Sequence, residues 1–130
     1  MVGDPISDLI IRIKNAGMVG KGEVLVPYSK LRHAVVSKLK ENGFIADVET
    51  RGKKVRKSLA ISLKYNEGAH VVSGVKRISK PGRRLYIKAA NIHPVKFGKG
   101  KRILSTPQGV LTGEEAREQN VGGEELFIIW

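Results

Sequence analysis

Apolar positions near the start of the chain recur at helical spacing, with Ile6, Leu9, Ile10 and Ile13 on one face. Asp4 suits the cap, Pro5 the first helical position, and Gly17 closes the pattern. Glu23–Val26 reads as a short strand. After Pro27, Ser29 caps a second predicted helix that buries Leu31, Val35 and Leu39 and stops at Gly43. The apolar period then changes to two. Phe44–Thr50 and Val55–Tyr65 are predicted strands joined by Arg51-Gly52-Lys53. The second sets Leu59, Ile61, Leu63 and Tyr65 inward against Ser58, Ser62 and Lys64 outward.

Asn66-Glu67-Gly68 marks the expected boundary, because the helix-containing pattern ends there and a pattern of strands and turns begins. The chain is therefore expected to divide into an α+β domain over 1–66 and a strand-rich domain over 67–130. Strands are predicted at Val71–Ile78 and Leu85–Lys88, separated by Pro81-Gly82, whose residue types suit a type II turn. His93-Pro94 interrupts any longer helix. Arg102–Thr106 and Gln108–Leu111 read as two strand arms around Pro107. Thr112-Gly113-Glu114-Glu115 has the form of a capping box for a short helix to about residue 120. Gly122-Gly123 then releases the chain into a final apolar strand, Leu126–Trp130. The fold class is α+β, with helices concentrated in the N-terminal half and mainly antiparallel strands in the C-terminal half. No internal repeat or heptad register is visible.

Charge changes the picture more than length does. The 130 residues hold 24 Lys and Arg against 12 Asp and Glu, a formal charge of +12 and a pI near 10.2, which points to a polyanionic partner. With 41% hydrophobic residues the chain can pack a core and is not a disordered tail. The positive charge is concentrated. Residues 68–113 carry Lys76, Arg77, Lys80, Arg83, Arg84, Lys88, Lys96, Lys99, Lys101 and Arg102 and no acidic residue. From Glu114 onward Arg117 stands alone among acidic residues. The sequence has no Cys, so disulfides, thiolate metal sites and a cysteine nucleophile are excluded. No apolar run approaches the roughly 18 residues of a membrane span, and neither a secretory segment nor an Asn-x-Ser/Thr site is present, so an intracellular address is expected.

No catalytic constellation emerges. His33, His70 and His93 are far apart and match no metal-binding spacing, so surface or capping roles are expected and no metal or cofactor. Gly98-Lys99-Gly100-Lys101 looks superficially like a phosphate loop, but Arg102 follows where Ser or Thr is needed, and a basic turn is the better reading. Glu114, Glu115 and Glu118 read as helix N-terminal charges.

Two segments combine charge with groups that nucleic acid uses. Lys80-Pro81-Gly82-Arg83-Arg84 places guanidinium groups beside Tyr86, whose ring either stacks on a base or sugar or half-buries in its strand, with Leu85 facing the other way. Ser105-Thr106-Pro107-Gln108-Gly109 gathers two hydroxyls, a carboxamide and a permissive Gly, as donors toward an RNA minor groove or as a plain hairpin turn. Zinc fingers, helix-turn-helix spacing and RNP-type aromatic motifs are missing from the sequence.

Residues 4–16, from Asp4-Pro5-Ile6-Ser7-Asp8-Leu9-Ile10 to Arg12-Ile13-Lys14-Asn15-Ala16, resemble the opening D-P-I-A-D-M-L-T-R-I-R-N-A of the bacterial small-subunit ribosomal protein family S-eight. The similarity continues in order through Ser29-Lys30-Leu31, Glu41-Asn42-Gly43-Phe44-Ile45, Leu63-Lys64-Tyr65, Arg77 to Arg84 and Tyr86. It then runs through Ile103 to Pro107, Gly109 to Thr112, Glu115-Ala116-Arg117 and Val121-Gly122-Gly123-Glu124. The resemblance implies two small α+β domains packed together and a primary rRNA-binding protein of the central domain of 16S rRNA, with neighbouring small-subunit proteins as further partners. It also implies a cytoplasmic location on the ribosome, no cofactor, no membrane and no enzymatic activity. It assigns the RNA stem to Ser105, Thr106 and Gly109 with Gly122, Gly123 and Glu124, and a further rRNA region to Arg12, Asn15, Ser29 and Lys30. Arg83, Arg84, Tyr86 and Gln108 complete the expected set from the residue reading. Some members of the family also bind their own operon's messenger, so a free RNA-binding translational regulator is the alternative. The sequence departs from the family pattern at Lys101-Arg102, usually small or apolar, at Gln108, commonly Lys, and at Gly113, frequently Asp.

Overall fold

The computed structural model describes residues 4–53, 56–95 and 99–130. Val55, where a strand was expected to start, and Lys96 and Gly98 of the basic segment lie outside the described residues. Two compact units make up the chain, one of residues 5–73 and the other of Asp4 with residues 74–130.

The first unit opens with α1, Pro5–Met18, whose Ile6, Leu9, Ile10 and Ile13 are all buried as their spacing requires. Gly17 does not end it. The terminator is Gly20, at φ +77°: the Lys21 N–H donates to the Ala16 carbonyl and the Gly20 N–H to that of Gly17. This is the pattern that needs a left-handed residue after the last turn, and Gly43 does the same for the next helix. After β1, Glu23–Pro27, Ser29 caps α2, Lys30–Glu41, by accepting from the Arg32 N–H at 3.1 Å. Val35 and Leu39 are buried as expected, but Leu31 is 41% exposed and Val36 takes the interior place instead. With about 100° between successive helical residues, including Val36 turns the buried face until Leu31 sits at its margin.

β2, Ile45–Arg51, and β3, Ser58–Leu63, join β1 in an antiparallel sheet ordered β1-β3-β2. The central position of β3 explains why Leu59, Ile61 and Leu63 are buried and why Ala60, on its other face, is buried too. A small hairpin follows, β4 at Tyr65–Asn66 and β5 at Ala69–His70, turning at Glu67-Gly68.

In the second unit β10, Gly123–Ile129, is the axis. On one side it pairs with β8, Lys101–Thr106, which pairs in turn with β9, Gly109–Thr112. Along its other side lie β6, Val75–Arg77, and then β7, Tyr86–Ile87. The Pro81-Gly82 turn therefore does not fold one strand back onto the other: β6 and β7 are successive pieces along one partner, and residues 79–85 form an excursion between them. Val71–Ser73, expected as strand, are outside any strand. A bulge between Glu125 and Phe127 lets both Leu126 and Phe127 face the interior. α3, Gly113–Glu118, carries the complete capping box of Thr112 and Glu115, with Glu118 as its last residue and not in its first turn. Ile92, Leu104, Leu111 and Ala116 form a core beneath it, with Ile87 and Val121 packed alongside.

Candidate nucleic-acid interface

Leu104 and Leu111 point to the α3 core, so strand alternation turns Ser105 to the opposite face. Register then defines a row on that face. Glu124 stands opposite Ser105 on β8 and opposite Tyr86 on β7, so residues from three strands meet that no sequence spacing connects. Tyr86 is 73% exposed, which leaves its ring open to stacking and removes the half-buried alternative. Gly122 and Gly123 make the row possible. A Cβ on Gly123 would collide with the Ser105 carbonyl and sit 2.9 Å from Thr106 Cγ2, and one on Gly122 would collide with the Ile87 carbonyl.

The hairpin tip, Pro107-Gln108, joins β8 to β9 with Thr106 opposite Gly109. The Thr106 hydroxyl donates to the Gly109 carbonyl at 2.8 Å and accepts from the Gln108 N–H at 3.1 Å. It shapes the turn and keeps one lone pair in reserve. Ser105 leaves its hydroxyl without a hydrogen bond among the described residues.

The basic excursion closes on itself through Arg83 N–H to the Lys80 carbonyl at 2.9 Å and Lys80 N–H to the Arg83 carbonyl at 3.0 Å, with Gly82 at φ +84° as the type II turn requires. Lys80 and Arg83 are exposed, and their side chains form no ion pair among the described residues. Arg84 differs, since its Nη1 lies 3.0 Å from Glu124 Oε2. The same oxygen receives the Ser79 hydroxyl at 2.6 Å, and the Ser79 oxygen accepts from the Leu85 N–H at 3.0 Å. Ser79 is fully buried. Nothing in the sequence marks it, because its partner lies 45 residues away and is fixed only by the pairing of β10.

The added charge at Lys101 and Arg102 is compensated within the unit. Lys101 pairs with Glu114 at 3.3 Å and Arg102 with Glu125. Burial draws the Arg102 guanidinium below its ordinary value, against the opposing pull of Glu114.

In the other unit, Arg12 and Asn15 lie on the exposed side of α1 and line a cleft of about 460 Å³ with Val19, Lys21, Glu23 and Leu25. Arg12 is tied to Asp8 at 3.2 Å and donates to the Leu25 carbonyl at 3.1 Å. Ser29 and Lys30, at the start of α2, do not line that cleft. Among the described residues no group of three or more His, Asp or Glu could hold a metal ion, and no helix is long and apolar enough to cross a membrane.

An α+β chain of this charge, with an open tyrosine and a hydroxyl on one sheet face and exposed cations on the adjoining excursion, has the makeup of a small RNA-binding protein. It belongs to the ribosomal protein S8 family, whose model matches residues 4–130. It is 47% identical over 130 residues, all of both chains, to small ribosomal subunit protein uS8 of Nitratidesulfovibrio vulgaris (strain DSM 19637 / Miyazaki F). To uS8 of Oleidesulfovibrio alaskensis it is 48% identical over 130 residues, again all of both. To that of Mycoplasmopsis synoviae it is 45% identical over 128 residues, 98% of this chain and 97% of the relative. As a member of this family it is a ribosomal protein and not an enzyme.

Proposed function

We propose that the protein is a structural constituent of the small ribosomal subunit that binds the central domain of 16S rRNA directly and helps coordinate assembly of the platform. One observation carries this reading: Tyr86, Glu124 and Ser105 share a row on one sheet face, next to the Ser105–Gly109 turn and to the excursion of Lys80 and Arg83, whose side chains form no ion pair among the described residues. A stacking ring, short hydroxyls and free charges are what an irregular RNA stem requires, since shape and 2′-hydroxyls are read at short range while phosphates are neutralised around them. Gly122 and Gly123 belong to the interface because they bring the row's backbone close, and Gln108 and Arg84 complete it. Arg12, Asn15, Ser29 and Lys30 supply contacts to a second rRNA region. Neighbouring small-subunit proteins are the further partners.

Protection footprinting on total rRNA, paired with co-sedimentation on small subunits, tests the proposal. The expected result is protection confined to the central domain and migration with the subunit. Protection of another rRNA region, or of a messenger in place of rRNA, would overturn it, and the second outcome would favour a free translational regulator.

A further inference from the structure

We propose that Ser79 and Arg84 act together as positioning residues that aim Glu124 at RNA, so that this carboxylate, and not the Arg84 charge, is what the pair contributes to recognition. The inference rests on the reading of this face as the rRNA interface and assigns the function of groups within it.

A carboxylate is an awkward group on a surface that meets phosphates, because like charges repel and a partly buried anion needs partners. Glu124 has them. Its side chain is 17% exposed, and its Oε2 receives both the Ser79 hydroxyl at 2.6 Å and Arg84 Nη1 at 3.0 Å. The ion pair neutralises the anion locally, and the buried hydroxyl fixes which oxygen faces inward. Oε1 is left to accept from RNA, where the available donors are 2′-hydroxyls and exocyclic amino groups.

Ser79 links two structures at once. Its N–H donates to the Glu125 carbonyl at 3.1 Å, while its hydroxyl oxygen receives the Leu85 N–H at 3.0 Å. The Leu85 carbonyl in turn accepts from the Glu125 N–H at 2.9 Å. Both ends of the basic excursion are thereby fastened to β10 at Glu124 and Glu125. The phosphate-facing work falls to Lys80 and Arg83, held at a fixed distance from the acceptor. Charge and specificity are thus carried by different residues of one loop.

The test measures binding of the purified full chain to a 16S central-domain stem and to a scrambled duplex across a salt series, with folding checked by thermal melting. Ser79→Ala and Arg84→Ala are each expected to weaken the cognate stem about tenfold, the scale of a hydrogen bond to a charged group, while leaving the scrambled duplex and the salt slope nearly unchanged. In a Glu124→Gln background either substitution should cost less than about twofold, since the group it serves has lost its charge. Wild-type cognate affinity, or effects of Arg84→Ala and Glu124→Gln that simply multiply, would overturn the inference, as would a salt slope reduced by about one unit in Arg84→Ala. Should Ser79→Ala fail to fold, the Arg84 and Glu124 variants decide by themselves. Failure of the wild-type protein to prefer the cognate stem is a separate result that removes the proposed function instead.

Discussion

Arg77 and Asp4, 73 residues apart in sequence, meet in a two-point ion pair, Nε to Oδ2 at 3.0 Å and Nη2 to Oδ1 at 3.2 Å. The Arg77 side chain is 8% exposed and also donates to the Leu126 carbonyl. Asp4 directly precedes α1, where a helix cap was expected, and its carboxylate clamps Arg77 of β6. Removing one member of a buried pair leaves the other charge uncompensated, so Asp4→Ala should destabilise the protein by about 3 kcal/mol. Arg77→Lys should not preserve the clamp, since an ammonium lacks the planar fork. Urea unfolding of both variants checks this, and wild-type midpoints would refute it.

Thr106 and Ser105 are neighbours with different obligations, and their alanine variants should separate. Thr106→Ala removes two hydrogen bonds of the turn, so both melting temperature and cognate affinity should fall, the affinity by about 1–3 kcal/mol. Ser105→Ala removes a hydroxyl without an internal hydrogen bond among the described residues, so affinity should fall with melting temperature unchanged. Neither should alter the salt slope. If Ser105→Ala binds the cognate stem like wild type, the turn is a hairpin connection and nothing more.

Arg83→Ala should act on every RNA alike. A guanidinium on a phosphate releases a counterion, so the variant should lose affinity for cognate and scrambled duplexes equally and flatten the salt slope by about one unit. A selective loss on the cognate stem would show that Arg83 reads a base instead.

His70 should make stability sensitive to mild acid. Its Nε2 is buried without a hydrogen-bond partner among the described residues, its ring packs against Tyr65 with centroids 5.4 Å apart, and burial holds it below the ordinary value of 6.5. Above that value the ring is neutral folded and unfolded, and its stabilisation is complete. As pH falls below it, the unfolded chain takes up a proton that the folded state resists, and stability is lost. Urea denaturation between about pH 7.5 and 5 should show a shallower decline for His70→Gln than for the wild type. Parallel curves would clear His70 of the effect.

Features set by local chemistry were legible in the sequence. The Ser29 cap, the Thr112–Glu115 capping box, the Pro81-Gly82 turn and the apolar stripe of α1 each depend on residues a few positions apart, and each stands as expected. Features set by pairing were not. The alignment of β6 and β7 along β10, the row of Tyr86, Glu124 and Ser105, and the burial of Ser79 depend on register between distant strands. The exchange of Leu31 for Val36 shows the intermediate case: periodicity locates a helix well, but a stripe with apolar residues on both margins leaves its rotation open. The turn at Ser105–Gly109 could be read from its residue types, whereas its neighbours on the sheet face could not.

The place of β10 in chain order has a consequence for synthesis. Every strand it pairs with is made before it, so β6 and β7 have no shared partner, and the β8–β9 hairpin no second neighbour, until residues 123–129 are translated. The unit of residues 5–73 holds all of its own strands by then, and segments translated earlier fold first. A nascent chain halted short of Gly123 therefore carries the basic excursion without the carboxylate and backbone that fasten it. The charge of the excursion is therefore made before its anchor, and Glu124, which holds Ser79 and Arg84, arrives only with the last strand.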